Sequence, residues 1–188
     1  MELKRRQNTG RKIPEEKIDL LAYLHSMNAH NHKMLKVIPK SWFSWDFVIT
    51  EGASPIADID VSWWREKGVL TVRSSRYDVY REGLMSGAFI LESSGSILAR
   101  AEKPSAFRRS FELEYGKKFY TLQAESAFRR KFVLIEGDRE VGWLSPNGVF
   151  TRQATSDLPE EIPLPVQVFM IWLVVILWKR ESDSAGAS

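Results

Sequence analysis

The segment that decides the fold is PLPVQVFMIWLVVILW, residues 163–178 of this 188-residue sequence. From Val168 to Trp178 all eleven residues are apolar, with no polar stripe at a helical or strand period. A segment that is apolar on every side has to be surrounded by protein or by lipid. The rest of the sequence can therefore be read by asking what surrounds it.

Its flanking residues favour a helix. Pro163 and Pro165 stand at its start, where a missing N–H does least harm, and Lys179 and Arg180 stand at its end, where cations suit the helix dipole. The apolar run is also longer than a typical strand of about four to eight residues. We predict a helix over residues 163–179.

The length of this helix leaves two placements open. Residues 166–178 would extend about 20 Å at about 1.5 Å per residue, whereas a bilayer core is about 30 Å thick and needs about 20 apolar residues. This favours a buried core helix. The alternative is a C-terminal anchor with residues 162–178 in a bilayer.

Composition indicates a globular protein with a large aromatic core. The sequence is 44% hydrophobic and 27% charged, and it contains seven Trp and ten Phe. It has no cysteine, which excludes disulfides, thiolate catalysis and cysteine-ligated zinc. The first residues contain no apolar secretory segment. We expect a cytoplasmic protein that is peripheral to, or anchored in, a membrane.

Positive charge is concentrated in residues 1–40, with nine Lys and Arg against four Asp and Glu, while the remainder is nearly neutral. A nucleic-acid-binding body is therefore disfavoured, because phosphate affinity needs a basic face. We interpret residues 1–40 as a basic arm with a short helix from Pro14, outside the folded domain. Its candidate contacts with an anionic membrane or a partner are Lys4, Arg5, Arg6, Arg11 and Lys12. The alternative is a solvated tail.

The three histidines, His25, His30 and His32, have neither helical nor zinc-finger spacing and no nearby acidic ligand. They are interpreted as part of a polar linker, and no metal site is predicted. Asp58 and Asp60 share one face of a predicted strand. A solvated outer face explains this pair better than a calcium site.

Between Trp42 and Thr155, short runs rich in Val, Ile, Phe, Tyr and Trp are separated by turn residues every eight to twelve positions. This pattern is typical of a β-sandwich or barrel. The predicted strands are Trp42–Thr50, Pro55–Trp63, Gly68–Arg73, Arg76–Arg81, Ser86–Glu92, Ser96–Lys103, Arg108–Tyr115, Lys117–Ala124, Arg129–Glu136, Glu140–Leu144 and Val149–Arg152.

An internal repeat supports hairpins in tandem. The motif SAFRR at residues 105–109 recurs at residues 126–130, and in the same register Gly116 matches Gly137. Each copy is a strand, a Gly-containing turn and a returning strand. Such hairpins in succession predict a mainly β meander that closes into an antiparallel barrel, because closure removes exposed edges.

At this point the sequence resembles the tubby C-terminal-like superfamily, which includes LURP-one-related proteins and phospholipid scramblases. The resemblance covers residues 42–180 and rests on AFRRKFVLIEGDREVGWL and DLPEEIPLPVQVFMIWLVVILWKR. It implies a closed barrel of about 11–12 strands enclosing a hydrophobic C-terminal helix. No ligand-binding residues of the superfamily can be carried over, and the cysteines that scramblases palmitoylate are missing here. We expect the domain to span residues 41–180, followed by a disordered tail over 181–188.

The sequence contains no catalytic or phosphate-binding motif, and its histidines all precede residue 33. We therefore predict a protein without enzymatic activity or a cofactor. The repeat places a basic rim at one end of the barrel, opposite Lys117 and Lys118. Its residues are Lys103, Arg108, Arg109, Arg129, Arg130 and Lys131.

This rim is a candidate site for a lipid headgroup or an acidic partner. The alternative is a solvated band of Arg paired with Glu112, Glu114 and Glu125. The favoured function is a binding module at an anionic membrane surface or in a protein assembly. The alternative is a tail-anchored structural subunit of a larger complex.

Overall fold

The structure is a computed structural model that describes residues 32–62, 66–83, 87–105, 108–148 and 151–186. The basic cluster of the arm, the predicted helix from Pro14, His25 and His30 lie outside these residues. Residues from His32 onward form one compact unit.

The described residues form twelve strands and one helix. The strands are β1 His32–Pro39, β2 Phe47–Glu51, β3 Ser54–Ser62, β4 Lys67–Val72, β5 Ser75–Arg81, β6 Phe89–Ser93, β7 Ser96–Glu102, β8 Ser110–Tyr115, β9 Lys118–Ala124, β10 Phe132–Glu136, β11 Arg139–Pro146 and β12 Ala154–Pro159, and the helix is α1 Leu164–Gly186. Every strand pairs antiparallel with its sequence neighbours, and β1 pairs with β12 to close the barrel. The predicted mainly β barrel is confirmed.

Period-two patterning gives this barrel an apolar interior. In β1, Leu35 and Val37 are buried while Lys36 between them is exposed. The repeat is visible in the structure, because Phe111 and Phe132, which are also 21 residues apart, are both buried, in β8 and β10. A strand with one apolar face has to bury that face, and the closed sheet does so toward its axis.

Helix α1 lies inside the barrel. Every residue from Val168 to Trp178 is at most 5% exposed and belongs to the same apolar cluster as the inward strand residues. Trp172 packs edge-on against Phe89 at 5.8 Å between ring centroids and stacks on Phe169 at 5.8 Å. The buried placement of the predicted helix is confirmed, because residues 166–178 are all buried, while residues 163–165 at its start are partly exposed. Within the described residues, no helix combines the length and apolarity that crossing a bilayer requires.

Two local details fit the helix to the barrel. A Cβ atom at Gly68 would lie 2.7 Å from the carbonyl oxygen of Asp60, so the missing side chain allows β3 and β4 to approach closely where the Trp172 indole packs against them, 3.4 Å from that Cβ position. The buried amide of Gln167 donates to the carbonyl oxygens of Pro159 at 3.1 Å and Ile162 at 2.7 Å. Burying this polar group therefore leaves no donor nitrogen unpaired.

The predicted domain boundaries were wrong at both ends. Residues 32–39 form β1, so the folded domain begins at His32 and not at residue 41. The helix continues to Gly186, so residues 181–186 are helical where a disordered tail was expected. Ten of the eleven predicted strands overlap β2 to β11. The eleventh, Val149–Arg152, falls on the connection before β12, and β12 itself was missed.

Removing α1 should abolish folding. A chain ending at Pro159 keeps all twelve strands, yet it loses about a dozen buried side chains worth about 1.5–3 kcal/mol each, against a typical domain stability of about 5–15 kcal/mol. We expect no cooperative thermal transition by circular dichroism.

A milder pair of variants tests the same point in the full chain. Trp172→Ala should lower the free energy of unfolding by about 3–5 kcal/mol, because it leaves a cavity in the core. The exposed Trp42→Ala should change it by less than about 0.5 kcal/mol. A cooperative melt of the truncated chain, or equal effects of the two Trp variants, would contradict the central role of α1.

Strand β1 should be indispensable, because it joins β2 to β12. A chain starting at Asn31 should melt cooperatively, whereas one starting at Ser41 should not, since losing β1 opens the barrel and exposes two strand edges. Thermal melts of the two chains, followed by circular dichroism, make the comparison. Equal melting temperatures would place β1 outside the folding unit.

Candidate functional site

The two ends of the barrel are built differently. At one end, which we call the turn end, strands are joined by residues 52–53, 73–74, 94–95, 116–117 and 137–138. At the other end, the loop end, the connections are residues 40–46, 63–66, 82–88, 103–109, 125–131 and 147–153. Long connections on a rigid scaffold are where binding residues concentrate. The loop end is therefore the candidate functional surface.

Sequence explains the compact turn end. The repeat-equivalent residues Gly116 and Gly137 have φ angles of 59° and 61°, in the left-handed region that two-residue hairpins require. A turn of two residues cannot extend far beyond the sheet. The connections of the loop end are longer, with four to seven residues each, and they carry most of the predicted site residues.

The predicted basic rim lies at the loop end. Lys103, Arg108 and Arg109 are in connection 103–109, and Arg129, Arg130 and Lys131 are in connection 125–131. These two connections are neighbours, because β8 pairs with β9 and β7 with β8. Lys117 and the start of β9 at Lys118 lie at the turn end, as the repeat predicts.

Arg109 is committed to internal contacts. Its Nη1 donates to the carbonyl oxygen of Arg129 at 2.8 Å, and its Nε lies 2.6 Å from a carboxylate oxygen of Glu181 in α1. The Nε contact is a close ion pair without hydrogen-bond alignment. The guanidinium also covers the Phe132 ring at 5.3 Å. This residue fastens two connections to the end of the helix.

Arg130 has a similar role. Its guanidinium lies 5.0 Å from the Trp178 ring, its Nη1 donates to the carbonyl oxygen of Thr151 at 3.3 Å, and its own carbonyl accepts from Trp178 Nε1 at 3.0 Å. Burial lowers its pKa, and Arg109 acts in the same direction while Glu181 opposes both. Arg130 thus joins connections 125–131 and 147–153 to α1.

The outer cations of the same connection are paired with one carboxylate. Glu125 contacts Lys131 at 2.8 Å and Arg129 at 3.2 Å, and the hydrogen bond from Lys131 is the main cause of the lowered pKa of Glu125. Glu125 therefore forms the ion pairs that the alternative hypothesis, a solvated band of paired Arg residues, predicted. Glu112 and Glu114 instead lie opposite Glu102 and Arg100 on the neighbouring strand. Arg108 is exposed.

Lys103 belongs to a second charged group at the loop end. Glu66 binds Arg81 at 3.1 Å and Arg180 Nε at 2.9 Å. Burial, followed by the charges of Arg180 and Arg81, lowers the pKa of Lys103. This group holds the end of α1 against connection 63–66.

The carboxylates of Asp58 and Asp60 share Lys40, whose Nζ lies 2.9 Å and 2.7 Å from them. Burial disfavours the charged ammonium, but the hydrogen bonds to both carboxylates outweigh it and raise the pKa of Lys40. The Lys40 ammonium therefore lies between the two carboxylates, where the calcium hypothesis would place a metal ion. Among the described residues no cluster of His, Asp or Glu has a metal-binding arrangement.

Sequence reasoning missed the exposed aromatic residues of the loop end. Trp42 and Phe43 in connection 40–46 are 83% and 91% exposed, and Phe128 in connection 125–131 is 98% exposed. Trp42 had been assigned to a strand, and Phe128 had been seen only as part of the repeat. The available signal was their position beside polar residues between two apolar runs.

The loop end thus presents exposed aromatic side chains beside cations, some fixed to α1 and some facing outward. Cations attract anionic groups, and covering an exposed aromatic ring with an apolar phase lowers the free energy of the system.

Comparison with known proteins finds no relative, because no family model, no curated protein and no solved structure matches this chain.

Proposed function

We propose that this protein is a non-enzymatic binding module whose loop end docks on an anionic membrane surface. The observation that carries the proposal is the placement of Trp42, Phe43 and Phe128 at the same barrel end as the basic connections. Monomeric soluble proteins rarely expose several large apolar side chains at one place without a partner.

The aromatic residues suit the interfacial region of a bilayer. Trp is enriched at the headgroup level, where its amphipathic ring meets both water and hydrocarbon. Phe side chains add binding energy in proportion to the apolar area that enters the acyl boundary. All three side chains lie in connections beyond the sheet, so they can enter a flat surface before the barrel wall touches it.

The cations supply the attraction to anionic lipid. Arg108 is exposed, and Arg129 has 74% of its side chain exposed while it contacts Glu125. Juxtamembrane Lys and Arg contribute about 1 kcal/mol each near an anionic leaflet. Ion pairs as exposed as Arg129 with Glu125 contribute little, so lipid phosphates can replace the carboxylate.

The connections that carry the aromatic residues are tied together. Connection 147–153 lies between connections 40–46 and 125–131 around the barrel. Arg152 donates to the carbonyl oxygens of Ser41 and Trp42, and Arg130 donates to Thr151. A surface that is already ordered loses less conformational entropy on docking.

The same surface fits a second candidate, docking within a protein assembly, because exposed aromatic residues beside Arg are also typical of protein interfaces. Membership of the tubby-like superfamily stays a prediction. The closed barrel with an enclosed C-terminal helix is the architecture that the resemblance implied.

Binding to vesicles tests the aromatic residues. Phe43→Ala with Phe128→Ala should weaken co-sedimentation with vesicles containing anionic phosphatidylserine by at least about tenfold, because each ring contributes roughly 1.5–3 kcal/mol when fully buried. The matched control is Phe119→Ala with Ile97→Ala, which removes side chains 67% and 57% exposed near the turn end. Equal losses for the two pairs would reject end-on docking. Loss of self-association in place of vesicle binding would favour the protein assembly.

Charge reversal tests the basic residues. Arg108→Glu with Arg129→Glu should reduce vesicle binding and flatten its dependence on salt, because screening acts over about 10 Å at 0.1 M ionic strength. Lys117→Glu with Arg139→Glu makes the same charge change toward the turn end and should retain most of the binding. If the Arg108 and Arg129 variant bound vesicles at low salt as well as the unchanged protein does, these residues would not belong to the docking surface.

A further inference from the structure

The loop end contains a cleft of about 810 Å³ between connections 40–46 and 147–153 and the last turns of α1. Its walls include Trp42, Trp45, Arg130, Arg152, Trp178 and Glu181. Clefts of this size, with aromatic walls and a few polar groups, are where proteins bind small molecules. None of the three Trp residues belonged to the predicted basic rim.

The two walls of the cleft are joined by internal contacts. The Arg152 guanidinium donates to the carbonyl oxygens of Ser41, Trp42 and Ser44 on the facing connection. It also lies 5.4 Å from the Trp45 ring. One side chain therefore fixes the spacing of two walls, so a ligand would meet a shaped site.

Positive charge exceeds negative charge in this cleft. Arg152 forms no ion pair with a carboxylate in the described part of the chain, since its contacts are to carbonyl oxygens and a ring. Among the described residues, the one carboxylate of the cleft wall, Glu181, is paired with Arg109 at 2.6 Å. Arg109 itself does not line the cleft. The partly buried Arg130, whose pKa burial lowers, adds a second poorly hydrated cation.

The walls also favour a flat or apolar ligand body. The Arg130 guanidinium carbon lies over the Trp178 ring at 5.0 Å, and that of Arg152 over the Trp45 ring at 5.4 Å, so planar groups form two parts of the wall. Planar guanidinium and indole groups stack on aromatic rings. Trp42, at 83% exposure, has ring surface to cover a bound molecule.

We propose that this cleft binds one small organic anion, a phosphate or carboxylate group joined to a flat or apolar body. The anionic group contacts Arg152 and Arg130, and the body lies against the Trp walls. The site shares Trp42 with the docking surface but includes neither Phe43 nor Phe128, and its binding of a soluble ligand is measured without a membrane.

Calorimetric titration of the full chain with 1-naphthyl phosphate tests the proposal. We expect one site per chain and binding at least about tenfold tighter than inorganic phosphate, since stacking of a ring on an aromatic wall contributes roughly 1–3 kcal/mol. Equal affinity for the two probes would overturn the aromatic part of the proposal. An absence of binding at millimolar concentration would overturn all of it.

A matched pair of variants locates the site. Gln153 lines the cleft with an exposed side chain, so Gln153→Glu adds a negative charge without changing shape and should weaken binding by about tenfold. Gln123→Glu makes the same change in β9, at a residue that does not line the cleft, and should leave binding unchanged. Equal effects of the two variants would place the ligand elsewhere. Thermal melts of both variants show whether each remains folded.

A third probe identifies the source of the anion. Soluble dihexanoyl phosphatidic acid carries the same phosphate on a lipid body. Binding of this lipid that is lost in Gln153→Glu assigns the cleft to a lipid headgroup, whereas binding of 1-naphthyl phosphate alone assigns it to a free metabolite. Titration of the Phe43→Ala, Phe128→Ala variant with 1-naphthyl phosphate reports separately on the cleft, because neither residue lines it, so failure of one proposal does not hide the fate of the other.

Discussion

The interior of the barrel has to be filled, and the remaining features of the structure depend on how this is done. Twelve strands enclose more space than their own inward side chains can occupy. Helix α1 occupies that space with eleven consecutive apolar residues, 168–178, all at most 5% exposed. The helix cannot stay in water without the strands, and the strands would surround a void without the helix. The two parts are therefore one cooperative unit.

The exit of the helix from the barrel determines what the loop end can do. Where α1 emerges, Glu181 binds Arg109, Arg180 binds Glu66, and Trp178 lies against Arg130. Several cations that appear equivalent in the repeated sequence are consequently used to hold the helix. Only the outermost ones, such as Arg108 and Arg129, remain exposed to approaching partners. Within one basic cluster, some cations therefore hold the helix while others stay exposed.

The meander separates the two ends of the barrel. Because each strand pairs with its sequence neighbour, successive connections alternate between the ends, and all the two-residue turns fall at one of them. The longer connections meet at the other end, together with the exit of α1. Exposed aromatic residues, cations and the Trp-lined cleft are therefore brought to one surface by connectivity, although they are far apart in the sequence.

The sequence by itself determined the elements whose signal is local. Short runs rich in Val, Ile, Phe, Tyr and Trp between turn residues located β2 to β11, and the apolar run after Pro163 predicted a buried helix. Strand β1 was not predicted, because its inward residues Leu35 and Val37 make only a short alternation. Strand β12 was not predicted, because the polar Ser156 occupies an inward position. The helix end at Gly186 lies beyond the apolar run, in residues whose composition suits a solvated tail.

Only the tertiary structure decided the partners of the charged and aromatic side chains. Arg180 and Glu66 are 114 residues apart, and Arg152 and Ser41 are 111 apart. No periodicity links residues at such separations, because their contact depends on barrel closure and on the path of α1. The exposure of Phe128 also depends on long-range packing, because Arg130, two residues later, turns inward to contact Trp178. Local patterning selects the strands and the helix, and long-range packing selects which of their side chains stay exposed.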